Sequence, residues 1–115
     1  LKINNKQLIK NAMADLTQQE WKEKLDNDPE GIIIDVRTKD EVDEGYIPGA
    51  KHIDIFLGQG FMDEIKKLDP EKNYYVYCRS GGRSAQACAI MNNLGYNNAF
   101  NLEGGFSEWE GETTV

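Results

Sequence analysis

The run Ile32-Ile33-Ile34-Asp35-Val36 constrains this chain more than any other stretch. It lacks the alternation of apolar and polar residues that marks a strand with one wet face, so both faces of the strand must be covered. Such strands belong to parallel sheets, whose crossovers lay helices over both sides. Tyr74-Tyr75-Val76-Tyr77 is a second apolar, aromatic run of the same kind.

Helical signals alternate with these strands. Thr17-Gln18-Gln19-Glu20 and Thr38-Lys39-Asp40-Glu41 are capping boxes, the first followed by Trp21 and Leu25 at helical spacing. That helix is expected to stop near Asn27-Asp28-Pro29, and the second to be brief because Gly45 and Pro48-Gly49 follow. Phe61, Met62, Ile65 and Leu68 mark one helix face, closed by Asp69-Pro70. Ala87, Ile90, Met91 and Leu94 mark another, with Gly95 as its C-terminal stop. Lys51-His52-Ile53-Asp54-Ile55 and Ala99-Phe100-Asn101-Leu102 complete the expected strands. The pattern predicts an α/β fold with a mostly parallel central sheet flanked by helices on both faces. A chain of 115 residues suits one such domain. Residues 1–14 are expected to be a solvated N-terminal extension, residues 15–111 the domain, and residues 112–115 a tail beyond Gly111, where order is expected to end.

Composition narrows the function. A formal net charge of −7 argues against a general binder of nucleic acid or anionic membranes. No apolar run approaches the ~20 residues of a membrane span. With one histidine and two cysteines, no metal site is expected, nor any cofactor. Cys78 and Cys88 are expected to point apart, leaving free thiols that suit a reducing, cytoplasmic setting. The chain starts at Leu1 rather than Met, so an upstream targeting segment stays open.

The chemistry concentrates at Cys78-Arg79-Ser80-Gly81-Gly82-Arg83-Ser84, which joins the Tyr74–Tyr77 strand to a helix that Ser84 is expected to cap. Two glycines let such a loop turn its N–H groups inward as an anion nest, backed by the positive end of the helix dipole. Beside a helix N-terminus and two arginines, a thiol pKa of ~8.5 falls to ~3.5–7.5, so Cys78 reads as a reactive thiolate. Arg79 and Arg83 are expected to supply that positive charge. The turns after Asp35, Cys78 and Glu103 leave strands at the carboxyl edge of the sheet, where ligands of such folds sit. Cys88 reads first as a packing residue, with a resolving thiol as the second reading, and His52 as an ordinary strand residue rather than a catalyst. Phe106 and Trp109 read as core anchors, and Asp40 to Glu44 as a solvated helix start.

Asp35-Val36-Arg37 with Glu41, then Gly45-Tyr46-Ile47-Pro48-Gly49-Ala50, then Tyr77 to Ser84, then Asn101-Leu102-Glu103-Gly104-Gly105 and Trp109 resemble, in order and spacing, the rhodanese family from about Thr17 to Gly111. The resemblance implies a single-domain sulfurtransferase. Its substrates would be a small thiosulfate-like anion or persulfide donor and an acceptor such as cyanide, a thiol or a protein thiol. Cys78 would be the catalytic sulfur carrier, with Arg79, Ser80, Gly81, Gly82, Arg83 and Ser84 binding the donor and stabilising the persulfide. Asp35, Arg37 and Glu41 would brace the neighbouring turn. Tyr46 stands where the family usually has histidine, and Val42 where an aromatic ring is common. Two other classes stay open on sequence alone. One is a cysteine phosphatase or arsenate reductase, for which the resemblance implies a C-x5-R loop rather than the C-x4-R of Cys78 to Arg83. The other is a non-catalytic rhodanese-like docking module, which usually lacks the cysteine.

Overall fold

Both capping boxes form as their spacing requires. In the computed structural model, which describes residues 15–115, Thr17 caps helix α1 (Gln18–Asp26) and Thr38 caps helix α2 (Lys39–Asp43). In each, the threonine side chain accepts from the N3 backbone while the N3 glutamate reaches back to the cap N–H. The expected extension over residues 1–14 lies outside the described residues.

Five strands form one parallel sheet: β1 (Asp15–Leu16), β2 (Ile32–Asp35), β3 (Lys51–His52), β4 (Tyr74–Tyr77) and β5 (Ala99–Leu102), in the spatial order β1-β5-β4-β2-β3. β2 and β4 run in register from Ile32 opposite Tyr74 to Asp35 opposite Tyr77. The period of two sends their side chains to opposite faces. Ile34, Tyr74, Val76 and Ala99 pack under helix α3 (Gln59–Lys66), through Phe61 and Ile65, and helix α4 (Gly82–Asn93), through Ala87, Cys88 and Met91. Tyr75, Tyr77, Phe100 and Leu102 pack on the other face with Trp21 of α1 and Phe106 of helix α5 (Gly105–Glu108). Helices therefore cover both faces, as the unbroken apolar strands demand. Among the described residues no helix is long and apolar enough to cross a membrane.

Three local expectations are corrected. The strand expected over Lys51 to Ile55 is shorter: the N–H groups of Ile53 and Ile55 still donate to the Asp35 and Val36 carbonyls. Asp54, however, accepts from the Phe56 N–H at 2.8 Å and starts a 3-10 turn (Ile55–Leu57). Ser84 is not the cap of α4. That place belongs to Gly81, whose φ of 108° favours glycine, and Ser84 lies buried in the first turn. Order also continues past Gly111, because Thr114 and Tyr46 exchange two backbone hydrogen bonds of 2.9 Å as an antiparallel bridge.

Trp21 anchors the α1 face. It is fully buried, its indole N–H donates to the Phe100 carbonyl at 3.1 Å, and it meets Tyr75, Tyr77 and Trp109 edge to face. Trp21→Ala is expected to cost about 3–5 kcal/mol of unfolding free energy, measured by urea titration. A loss below about 1 kcal/mol would contradict this packing account.

Candidate active site

β4 delivers Cys78 to the carboxyl edge of the sheet, and the chain then turns through Arg79, Ser80 and Gly81 into α4. The strand order reverses direction between β2 and β4, so the turns after these strands open a crevice, the usual ligand position in open α/β sheets. The turn after β5 closes over the same place. The Phe106 N–H donates to the Cys78 carbonyl at 2.8 Å, and the Ser107 N–H to the Arg79 carbonyl at 2.9 Å. These are donors of the first turn of α5, which have no partner inside their own helix. By holding the loop carbonyls outward they leave its N–H groups free to face the sulfur. Gly105 permits this approach: a Cβ there would lie 2.5 Å from the Arg79 carbonyl oxygen, and its φ is +59°. The three turns singled out in the sequence thus converge.

Cys78 is 1% exposed, and its Sγ accepts from the Gly81 N–H at 3.1 Å and from the Ser84 hydroxyl at 3.3 Å. Burial pushes the thiol pKa up. Hydrogen bonds from the Ser84 hydroxyl and from the backbone N–H groups of Ser84, Gly81 and Ser80 outweigh it and leave the pKa below its ordinary value. The hydrogen bonds that favour the charged form of Cys78 therefore come from the loop backbone and one hydroxyl. Gly82, next in the loop, borders open space.

Among the described residues the two arginines make no hydrogen bond to the sulfur, although Arg83 still feels the charge of Cys78. Glu41 takes both. Arg83 forks onto its carboxylate at 2.7 and 2.9 Å, and Arg79 Nε donates to Oε2 at 2.9 Å. The same Oε1 accepts from the Thr38 N–H and hydroxyl at 3.1 Å, so the capping box and the arginine clamp share one carboxylate. The hydrogen bond from Arg83 leads the contacts that hold the Glu41 carboxyl well below the usual carboxylate range, against the opposing effect of burial. Arg79 remains 51% exposed at the side chain.

Asp35 and Arg37 brace the turn after β2. Both are 1% exposed and paired at 2.8 Å, with a second bond of 3.0 Å from Arg37 Nε to Asp35 Oδ1. The Tyr77 hydroxyl donates to Asp35 at 2.7 Å, while Arg37 Nη2 also donates to the Gly45 carbonyl at 2.7 Å. His52 lies apart from the thiol, with Nε2 donating to the Arg37 carbonyl at 2.7 Å. Cys88 is buried among apolar neighbours, and burial pushes its thiol pKa far up, which suits packing rather than reactivity. The sequence did not reveal the grip of Phe106 and Ser107 on the loop, although the Gly104-Gly105 pair before them was its visible trace.

Two outcomes follow from this division of labour. Ser84→Ala is expected to raise the midpoint of the iodoacetamide rate–pH profile of Cys78 by about one pH unit, while Arg79→Ala leaves it nearly unmoved. Equal shifts in the two variants would instead assign the thiolate to the guanidinium groups. For Glu41 the folded pKa is depressed, so its stabilisation is complete above the unfolded value of ~4.3 and is lost as pH falls toward the folded one. The stability gap between wild type and Glu41→Gln should therefore be level above about pH 5 and narrow below about pH 4. Denaturant titrations across that range measure it, and a gap independent of pH would contradict the clamp.

The rhodanese-like domain family matches residues 17–112. "Putative sulfurtransferase YtwF" of Bacillus subtilis is 44% identical over 92 residues, covering 80% of this chain and 85% of that protein. A sulfurtransferase of Allochromatium vinosum is 34% identical over 95 residues, covering 83% and 86%. Among solved structures, a rhodanese-like domain protein from Staphylococcus aureus superposes with a TM-score of 0.74 at 35% identity, covering 87% of this chain and 94% of that one. These likenesses support a sulfurtransferase-type role. With nearly all of residues 15–115 inside the match and the loop geometry in place, the chain belongs to the rhodanese-like domain family.

Proposed function

We propose that this protein transfers a sulfane sulfur from thiosulfate or a persulfide donor to a thiophilic acceptor, through a persulfide on Cys78. One observation carries the reading: Cys78 Sγ accepts hydrogen bonds from backbone N–H groups and the Ser84 hydroxyl, and no imidazole is among its partners. A thiol prepared in this way attacks as a thiolate and needs no general base. The same donors then suit the negative sulfur that replaces it.

The steps balance without any further reactant. The Cys78 thiolate attacks the outer sulfur of thiosulfate, forming a sulfur–sulfur bond. The bond inside thiosulfate breaks, and its electron pair leaves on sulfite. The persulfide sulfur is then attacked by cyanide, a small thiolate or a protein thiolate, and the pair of the Cys78 sulfur–sulfur bond returns to Cys78. In this reading Ser80, Gly81, Gly82 and Ser84 cradle the transferred sulfur. Arg79, half exposed beside the loop, is the cation that an incoming anion meets first, with Arg83 behind it on Glu41. The six-residue loop from Cys78 to Arg83 favours sulfur over phosphoryl chemistry, since its ring of donors is one residue tighter than C-x5-R.

Intact-protein mass spectrometry tests this directly. After thiosulfate the wild type should gain one sulfur atom that a reductant removes. Cys78→Ser should gain none, and Cys88→Ser should behave as wild type. Hydrolysis of aryl phosphates that vanishes in Cys78→Ser, with no added sulfur in the wild type, would overturn the proposal in favour of a phosphatase.

A further inference from the structure

β5 lies beside β4 in the sheet, and one of its polar side chains is not explained by packing. Asn101 is 4% exposed, a primary amide in a strand whose other residues, Ala99, Phe100 and Leu102, are apolar and buried. Its Oδ1 has no hydrogen-bond partner among the described residues. An unpaired buried amide oxygen is unfavourable, so an apolar residue of similar shape would be expected here if stability alone decided the choice. The amide nitrogen, in contrast, is fully used. Nδ2 donates to the Gly81 carbonyl at 3.2 Å and to Asp15 Oδ1 at 2.9 Å. Both of these neighbours are acceptors, which fixes the amide orientation with nitrogen toward the loop.

The Gly81 carbonyl belongs to the peptide that joins Gly81 to Gly82. It also accepts the Ala85 N–H at 3.0 Å, so it is held from two sides, by its own helix and by β5. A trans peptide is planar, with its C=O and N–H pointing in opposite directions. Anchoring the Gly81 carbonyl inward therefore directs the Gly82 N–H outward, away from β5. That N–H is a first-turn donor of α4, free of any partner within the helix, and Gly82 borders open space. The same anchor fixes Gly81 in its left-handed conformation, φ 108° and ψ −13°, in which the Gly81 N–H reaches Cys78 Sγ at 3.1 Å.

We infer that Asn101 is a positioning residue of the sulfur-transfer site, acting through the Gly81–Gly82 peptide to aim two loop N–H groups at the sulfur and its ligand. This rests on the proposed sulfurtransferase reading for its ligand, but not for its effect on the thiol. Asp15 completes the arrangement by taking the second amide hydrogen, which ties the first described strand to the active loop through one side chain.

The test uses alkylation, which needs no sulfur donor. In Asn101→Leu the volume is kept and the donor lost, and the midpoint of the iodoacetamide rate–pH profile of Cys78 is expected to rise by about half a pH unit. Asn101→Ser, whose short hydroxyl cannot reach the Gly81 carbonyl, carries the same expectation and serves if the leucine variant does not fold. In thiosulfate turnover, both variants should raise KM more than they lower kcat, because a donor to the anion has been turned aside. A folded variant, shown by an ordinary thermal transition, with unchanged alkylation profile and unchanged KM would overturn the inference. If the wild type takes no sulfur from thiosulfate, the proposed function fails, while the alkylation shift still decides the role of Asn101.

Discussion

The ion pair between Asp35 and Arg37 is the contact on which the carboxyl edge of the sheet depends. It is buried, and its two side chains bind four separate parts of the chain: the end of β2, the Tyr77 hydroxyl at the end of β4, the Gly45 carbonyl, and the Phe106 ring, 4.3 Å from the guanidinium. The Tyr77 hydroxyl passes the contact on, accepting the Ile47 N–H at 3.0 Å. A buried pair of this kind adds little net stability over an apolar replacement, but losing one partner strands the other and costs about 3–5 kcal/mol. Its value lies in geometry. Tyr77 immediately precedes Cys78, and Phe106 sits on the helix that holds the Cys78 carbonyl. The pair thus fixes both sides of the loop without touching the sulfur.

A second carboxylate, Glu41, manages the charge at the mouth. Two unpaired guanidinium groups at the mouth of this loop would attract any small anion. Glu41 holds both and offsets one of their charges, leaving a modest positive excess and one half-exposed guanidinium. Its carboxylate is positioned by the same capping box that starts α2, so a local helix signal and a long-range clamp share one side chain. The hydrogen bonds that reach the Cys78 sulfur come from dipoles, the Gly81 N–H and the Ser84 hydroxyl. Fixed N–H groups need no rearrangement to meet negative charge, which mobile cations would require.

Much of this was legible in the residues. The unbroken Ile32 to Val36 and Tyr74 to Tyr77 runs announced a sheet covered on both faces, and the threonine–glutamate spacings announced two helix starts. What stayed hidden depends on distance along the chain. The two residues of β1 carry no periodicity, and only their pairing with Asn101 and Leu102 makes them a strand. Nothing local shows that Arg79 and Arg83 meet Glu41, which lies on an element built around another strand. Ser84 has the chemistry of a cap, but the loop's left-handed Gly81 takes that place, and the hydroxyl is released to bind sulfur.

The grip of α5 on the Cys78 and Arg79 carbonyls has a consequence for the order in which the loop is completed. During synthesis the cysteine, its glycines and α4 all emerge before Gly105, Phe106 and Ser107. Until those last residues dock, the Cys78 and Arg79 carbonyls lack the partners that hold them in the finished fold. The finished loop is thus a product of completion: a polypeptide that ends before Gly105 carries Cys78 without the helix that holds its carbonyl.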